Sequence, residues 1–477
     1  MNRATTWIAR SVSRLRAETP TDAPAAAPPP PRSTHERLQA TLRRGDEALS
    51  PRALRRLLTD VQAVADAQVS ELEGGRLAQG VMDWYASAKE AEQRDLWLLL
   101  CEQFSPDATQ VKAARQQYEA ALGTPDEGRA EMALRLALLS PRTRVLQRFA
   151  VPTGGMRFLV DLRAQLLPQL KTDKRLHALD AELEQLFSTW FDVAFLELRR
   201  LSWDSPASLL EKLIQYEAVH DIRSWADLKN RLDSDRRCYG FFHPSLPNEP
   251  LIFVEVALLD HLCASITPLL DESAAAANLD KATTAIFYSI SNTQTGLRGV
   301  SFGNSLIKHV VETLQTEFPR LRHFATLSPI PGFRAWLGRH GQKVLDRLSD
   351  KQRAELGRAL GFESPQLAHL LTAADQALQL EAKSPVRQVL LQCAASYLGQ
   401  ELKEGKPLDA VARFHLGNGA RVERLNWAAD PSSKGMKQSY GLMVNYLYDL
   451  KRLDKHRSLF AQGVVAASKE VAALYPD

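Results

Sequence analysis

Cysteine is scarce in this 477-residue chain: Cys101, Cys238, Cys263 and Cys393 stand far apart and form no CxxC pair. That spacing argues against a zinc site or a disulfide framework, and the four thiols read as small buried hydrophobes in a protein of a reducing compartment. Long apolar runs are missing too. None approaches the roughly 18 residues that a membrane-spanning helix needs. An excess of one charge is also lacking: 60 Lys+Arg face 56 Asp+Glu, a net charge of +4, so the basic stripe of a nucleic-acid-binding protein is absent. There is no GxGxxG and no Gly-Lys-Ser/Thr, which sets aside the dinucleotide and P-loop fingerprints. Without a GxSxG elbow, hydrolysis through an acyl-serine is disfavoured. The terminal Leu474-Tyr475-Pro476-Asp477 carries no peroxisomal Ser-Lys-Leu address.

What is present favours helix. Apolar residues make up 45% of the chain and charged residues 24%, with Leu, Ala and Arg abundant, and the length suits two to four domains. Arg3, Arg10, Arg14 and Arg16 come without an acid, but Glu18-Thr19-Pro20 and the Ala- and Pro-rich Ala23–Pro31 follow. Residues 1–32 therefore read as a disordered leader of a cytoplasmic protein, with mitochondrial targeting as the alternative. From 33 to 190 the spacing is helical almost throughout. Leu38, Leu42 and Leu49, then Leu54, Leu57, Leu58, Val61 and Val64, recur every three to four residues, and Ser50-Pro51 is a good helix start. An assembly or lid module is the reading there.

After about Phe191 the pattern changes. Strand candidates are Ala194–Leu198, Cys238–Phe242, Leu251–Leu258, Ala285–Ile290 and His323–Leu327, with helices at Ser208–Tyr216 and Trp225–Leu232. The run Leu251–Leu259 is nearly all apolar, as in a strand covered on both faces. Gly338–Val411 reads as a helical insertion. Arg413–Leu416 and Ala420–Leu425 flank Gly417-Asn418-Gly419 and read as two strands of a hairpin. Leu442, Met443, Tyr446, Leu447 and Leu450 suggest a helix around Tyr448. The expected class is α+β: an all-α bundle followed, over 191–477, by a mixed α/β catalytic domain.

Chemistry concentrates between Ala285 and Leu337. A strand, a polar glycine-bearing loop (Ser291–Gly299) and an amphipathic helix (Leu306, Ile307, Val310, Val311, Leu314, Phe318) follow in order. Such a loop offers free backbone N–H groups and a helix N-terminus to a phosphate, though an ordinary crossover turn looks the same. Arg298-Gly299-Val300-Ser301-Phe302-Gly303 resembles the pyrophosphate loop of the GNAT acetyltransferase fold, R/Q-x-x-G-x-G/A, with Ser301 in place of the middle glycine. Four longer strings are more specific. Phe287-Tyr288-Ser289-Ile290-Ser291, Leu327-Ser328-Pro329-Ile330-Pro331-Gly332-Phe333, Phe414-His415-Leu416-Gly417-Asn418-Gly419-Ala420 and Asn445-Tyr446-Leu447-Tyr448 resemble the signature segments of the malonyl-CoA decarboxylase family, in that family's order.

The resemblance implies a GNAT-like catalytic domain that converts malonyl-CoA to acetyl-CoA and CO2 without metal, biotin or another cofactor. It implies a homo-oligomer, a tetramer, built through the helical domain, and no nucleic-acid or membrane partner. The family's catalytic serine falls on Ser328, its histidine on His415 and its active-site tyrosine on Tyr448; its coenzyme A loop falls on Arg298, Gly299, Val300, Ser301, Phe302, Gly303 and Asn304. Some members carry glutamate where Ser301 stands, so no carboxylate role transfers to that position. Judged without the family, Ser328 is a turn residue, His415 a surface or satisfied histidine on a strand and Tyr448 a helix packing residue. His243 and Ser245 are weaker candidates for an acyl pocket. Lys434, Lys437 and the cluster Lys451, Arg452, Lys455, His456 and Arg457 read as solvated, with a phosphate contact as the alternative. Two rival functions stay open at this point: an acyltransferase on the same fold, and a catalytically silent coenzyme A sensor or scaffold.

Overall fold

A computed structural model describes residues 32–300 and 306–475. The chain divides between Arg148 and Phe149 into two compact units. The leader 1–32 thus lies, except for Arg32, outside the described residues.

The first unit is helical. Ser50 accepts a hydrogen bond from Ala53 N–H and Pro51 occupies the first turn of the helix Pro51–Ala65, which buries Leu54, Leu57, Val61 and Val64. Leu42 lies beyond the short helix Thr34–Gln39 and is exposed. Arg37 and Asp95, both buried, form a bidentate pair at 2.5 and 2.7 Å, and Asp95 also accepts from Leu49 N–H. The helix Glu127–Ala137 buries none of its residues.

The second unit is α+β, as expected. Its main sheet contains β1 (Glu197–Leu201), β2 (Arg236–Phe242), β3 (Pro250–Leu259), β4 (Thr284–Asn292), β5 (His323–Thr326) and β6 (Ser328–Pro329). A two-stranded ribbon, β7 (Leu402–Lys403) and β8 (Lys406–Pro407), lies apart, and β9 (Arg421–Asn426) and β10 (Met443–Leu447) complete the sheet. The order is β1-β2-β3-β4-β5-β10-β6, with β9 also on β10. Only β4 and β5 run parallel among these pairs. The apolar run of β3 is buried over nine of its ten residues, because Leu209, Leu210, Leu213 and Leu228 pack over Leu201, Cys238, Phe242 and Phe253, while Cys263, Ile266 and Leu269 pack on Ala257, Ile286 and Met443. The helix Leu306–Glu317 ends in Glu317, which pairs with Arg237 of β2 at 2.6 Å and accepts from Tyr239 Oη.

One irregularity positions the site. β4 and β5 pair only from Thr284↔His323 to Phe287↔Thr326, and Leu327 N–H to Phe287 O at 2.9 Å is the last bond between them. Beyond it β4 continues to Asn292, while the other chain bends into β6 and pairs with β10. The β3–β4 register also slips at Tyr288, between Val256↔Phe287 and Glu255↔Ser289. Such a bulge re-aims the strand. The two parallel strands therefore part at Phe287 and Leu327, and Ser328 follows at once.

Between β6 and β9 the chain forms the helices Phe333–Asp346, Asp350–Leu360, Leu367–Ala374 and Pro385–Gly399. The predicted helical insertion begins inside the first of these, and it contains the β7–β8 ribbon that the helical reading did not include.

Two further expectations are corrected. Arg413–Leu416 is not a strand: it belongs to the helix Ala410–Gly417, started by Asp409, whose side chain accepts from Ala412 N–H at 2.9 Å. Ala412, His415 and Leu416 are its buried face, a spacing of three and four that an alternating reading misses. Gly417-Asn418-Gly419 is the end of that helix and not a hairpin turn. Gly419 takes φ +88°, and a Cβ there would meet Leu453 O at 2.7 Å. Left-handed glycines serve both roles, so the local signal was ambiguous. Tyr448 is not in a helix: it directly follows β10, and its N–H bonds Phe324 O.

Candidate active site

Where β4 and β5 part, four side chains form one hydrogen-bonded chain. Thr326, the last residue of β5, and Ser328 in β6 are two apart on extended backbone and so point the same way. Ser328 Oγ donates to Thr326 Oγ1 at 2.9 Å. His415, from the helix Ala410–Gly417, places Nε2 3.3 Å from Ser328 Oγ and Nδ1 2.7 Å from Tyr448 Oη. Tyr446 and Tyr448 alternate along their strand onto the same histidine: the Tyr446 ring stacks on it at 4.8 Å between centroids and the Tyr448 ring meets it edge-on at 6.1 Å. All of these residues are buried, Ser328 at 6% and His415 at 3% exposure.

The direction of the bonds follows from the single proton on each hydroxyl. With the Ser328 proton on Thr326, as the heavy-atom geometry assigns it, Nε2 of His415 is the donor to Ser328 Oγ. Nδ1 then carries no proton and accepts from Tyr448 O–H. The backbone around this chain is pinned. Tyr446 N–H donates to Thr326 Oγ1 at 3.1 Å, and Asn445 Nδ2 donates to Thr326 O at 2.7 Å.

Burial decides the charge state. Without a partner carboxylate, desolvation lowers the His415 pKa to about 3, and it raises that of Tyr448 above its ordinary value, with Arg457 opposing the rise. At neutral pH the pair is therefore a neutral imidazole and a neutral phenol. A stability signature follows. Between the ordinary 6.5 and about 3 the unfolded chain takes a proton that folded His415 refuses, so stability falls as pH falls through this window. The loss attributable to His415 approaches roughly 1 kcal/mol per pH unit. Urea titrations at pH 7, 6, 5 and 4 should give a shallower decline for His415→Gln than for the wild type; parallel declines would refute the assignment.

The second cluster is the loop after β4. Arg298 and Gly299 follow the turn Thr295–Leu297, and with Val300, Asn292, Gln294 and Leu251 they line a cavity of about 230 Å³. Gly299 has φ +87°. Arg163, 1% exposed on the helix Gly155–Leu166, holds this turn: Nη1 donates to Gly296 O and Arg298 O, both at 2.9 Å, and its other nitrogens pair with Asp180 and Glu184. A Cβ on Gly296 would stand 1.9 Å from Val160 O, so helix and turn meet backbone to backbone. Ser301, Phe302, Gly303 and Asn304 lie outside the described residues.

The structure thus brings Ser328, His415 and Tyr448 together and gathers Arg298, Gly299 and Val300 at one cavity. Of the weaker candidates, His243 packs edge-on against Phe191 and accepts from Ser245 N–H, while Lys434 bonds Ala218 O and Asp221. Sequence reasoning missed Thr326, Tyr446 and Arg163. Thr326 was legible as the neighbour two positions before Ser328 on a strand; the helical reading around Tyr448 hid Tyr446, and nothing local marked Arg163. The four cysteines are buried and none of them forms a disulfide. No helix among the described residues is long and apolar enough to cross a membrane.

Comparison with known proteins agrees with this architecture. The family profile described as "Malonyl-CoA decarboxylase C-terminal domain" matches residues 194–477, and its "N-terminal domain" counterpart matches residues 104–191. The chain is 38% identical over 363 residues to "Malonyl-CoA decarboxylase, mitochondrial" of Anser anser anser, covering 73% of this chain and 71% of that protein. Crystal structures of malonyl-CoA decarboxylase from Rhodopseudomonas palustris and Cupriavidus metallidurans superpose with TM-scores of 0.76 and 0.72 at 40% and 43% identity. They cover 88% and 89% of this chain and 99% and 100% of theirs. With both domains matched in order, and the relatives and solved structures matched over most of their lengths, the chain belongs to the malonyl-CoA decarboxylase family.

Proposed function

We propose that the chain decarboxylates malonyl-CoA to acetyl-CoA and CO2, with Ser328 and His415 as the catalytic pair and Tyr448 as the group behind them. The observation that carries this reading is the buried Tyr448–His415–Ser328 hydrogen-bonded chain at the point where β4 and β5 part. The coenzyme A ester is the substrate, and Arg298–Asn304 is the proposed grip on its pyrophosphate.

The chemistry needs a proton delivered to carbon. When the carboxylate leaves as CO2, the electron pair of the broken C–C bond becomes a thioester enolate, which must be stabilised and then protonated. Ser328 O–H gives its proton to the carbon as His415 Nε2–H replaces it and Tyr448 O–H replaces that on Nδ1. The negative charge passes from the enolate to the phenolate, which takes its proton back from Nδ1 as Nε2 gains one from solvent, so that the Nε2–H tautomer is restored. The sum is one proton taken up per CO2 released. A neutral histidine suits this role because it relays a proton without holding a full charge in a dry site. Arg457, which opposes the rise in the Tyr448 pKa, favours the transient phenolate.

Purified protein given malonyl-CoA should release CO2 and acetyl-CoA in equal amounts without added metal, read by mass spectrometry. An intact fold with no CO2 release sinks the proposal; acetylation of an amine acceptor from acetyl-CoA would favour the acyltransferase. The reading extends to a homo-oligomer formed through the helical region. It is supported by the exposed apolar residues Met132 and Leu136 on the helix Glu127–Ala137, 53% and 62% exposed, which a second copy would cover. It also includes a cytoplasmic location, with which four cysteines outside any disulfide are consistent.

A further inference from the structure

We propose that Thr326 is the positioning residue that sets the direction of the proton relay; the proposal deepens the catalytic reading above and rests on it. The hydroxyl of Ser328 has two neighbours able to accept its proton, His415 Nε2 at 3.3 Å and Thr326 Oγ1 at 2.9 Å. The choice between them orders the whole chain. With the proton on Thr326, the donors run Tyr448 to His415 to Ser328, outward, and Ser328 stands at the delivering end. With the proton on His415, every bond reverses: Nδ1–H donates to Tyr448 Oη, and neither histidine nor tyrosine can replace a proton lost from Ser328 until the imidazole changes tautomer. Thr326 Oγ1 therefore occupies the acceptor role that the substrate carbon takes during reaction.

The side chain is built for that task. Thr326 is fully buried, and its rotamer is held by Tyr446 N–H on Oγ1 at 3.1 Å while Asn445 Nδ2 holds its carbonyl at 2.7 Å. Asn445 is itself fixed: its Nδ2 also donates to Cys263 O at 3.1 Å, and its Oδ1 accepts from Asn426 Nδ2 at 2.8 Å. A fixed acceptor beside a free-rotating hydroxyl is an orienting device. Position two before Ser328 on extended backbone puts it there. The same arrangement keeps Ser328 from donating to the histidine, as a serine nucleophile must, so the geometry favours proton delivery over acyl transfer.

The test compares Thr326→Val, which keeps the shape and removes the acceptor, with Thr326→Ser, which keeps the hydroxyl. Two readouts are taken, malonyl-CoA turnover and the ¹⁵N resonances of histidine-labelled protein, with His415 assigned by its loss in His415→Gln. Thr326→Val is expected to lower kcat about ten- to hundred-fold with KM nearly unchanged, and to move His415 from the Nε2–H toward the Nδ1–H tautomer. Thr326→Ser should restore both. Unchanged kcat and tautomer in folded Thr326→Val, or failure of Thr326→Ser to restore them while its Tm matches the wild type, overturns the proposal. The tautomer is read without turnover. A wild type that released no CO2 would overturn the assigned reaction, while the resonances would still decide the role of Thr326.

Discussion

Alanine in place of His415 or Ser328 should lower kcat for malonyl-CoA by about 10²–10⁴-fold, the usual contribution of a positioned acid–base group. Binding of acetyl-CoA, measured by calorimetry, should change far less. The proposed grip on coenzyme A lies on the loop after β4, whereas Ser328 and His415 stand at the strand junction, so each substitution removes an interaction made mainly in the transition state. The two variants also differ in a useful way. Ser328→Ala removes the delivering hydroxyl and leaves His415 bonded to Tyr448. His415→Ala breaks both links at once and opens a cavity beneath Tyr446, whose ring had stacked on the imidazole. A lower Tm is therefore expected for His415→Ala and nearly none for Ser328→Ala. On the proposed relay, which acts as a unit, the double variant should be little worse than the worse single one; additive losses would argue for independent roles. If either folded variant turned over at the wild-type rate, that residue would leave the mechanism.

The largest stability effect is expected at Arg163. Replacement by methionine keeps much of the volume but removes the donors to Gly296 O, Arg298 O, Asp180 and Glu184. Asp180 is mostly buried and Glu184 is partly solvated, so the uncompensated groups are chiefly Asp180 and the two carbonyls. Losing one partner of a buried ionic network costs about 3–5 kcal/mol. Urea unfolding should report this as a lower midpoint with an unchanged slope. The same variant frees the turn that carries Arg298 and Gly299, so KM for the coenzyme A ester should rise more than kcat falls. A midpoint within experimental error of the wild type would show that water or a rearranged neighbour satisfies the turn, and the clamp would then have no role.

How much of this was legible in advance differs from element to element. The run Leu251–Leu259 announced a strand buried on both faces, and β3 is one. Ser50-Pro51 announced a helix start that the cap confirms. Such signals are local: a cap, a turn or a burial period involves residues a few positions apart. His415 shows where local reading stops. Phe414-His415-Leu416 before a glycine suits a strand and hairpin as well as it suits the last turn of a helix, and Asp409 capping together with the buried triplet Ala412, His415 and Leu416 settles it only once the surrounding core exists. Tyr448 failed for the opposite reason. A dense apolar stretch has no period of its own, and pairing with β5, β6 and β9 made it a strand.

The sequence by itself determined the order of a helical region and a mixed α/β region and, through four family-like strings, which residues to watch. Patterning is a property of the chain, and a motif needs no coordinates. Only the tertiary structure decided that β4 and β5 part at Phe287, that the imidazole arrives from a helix, and that Ser328 lies within reach of both Thr326 and His415. Those facts depend on contacts across 33 and 87 residues, and on burial dry enough to keep His415 neutral. Neither the pairing partner of a strand nor the dielectric around a side chain is encoded next to it. Both are set when distant segments close on one another.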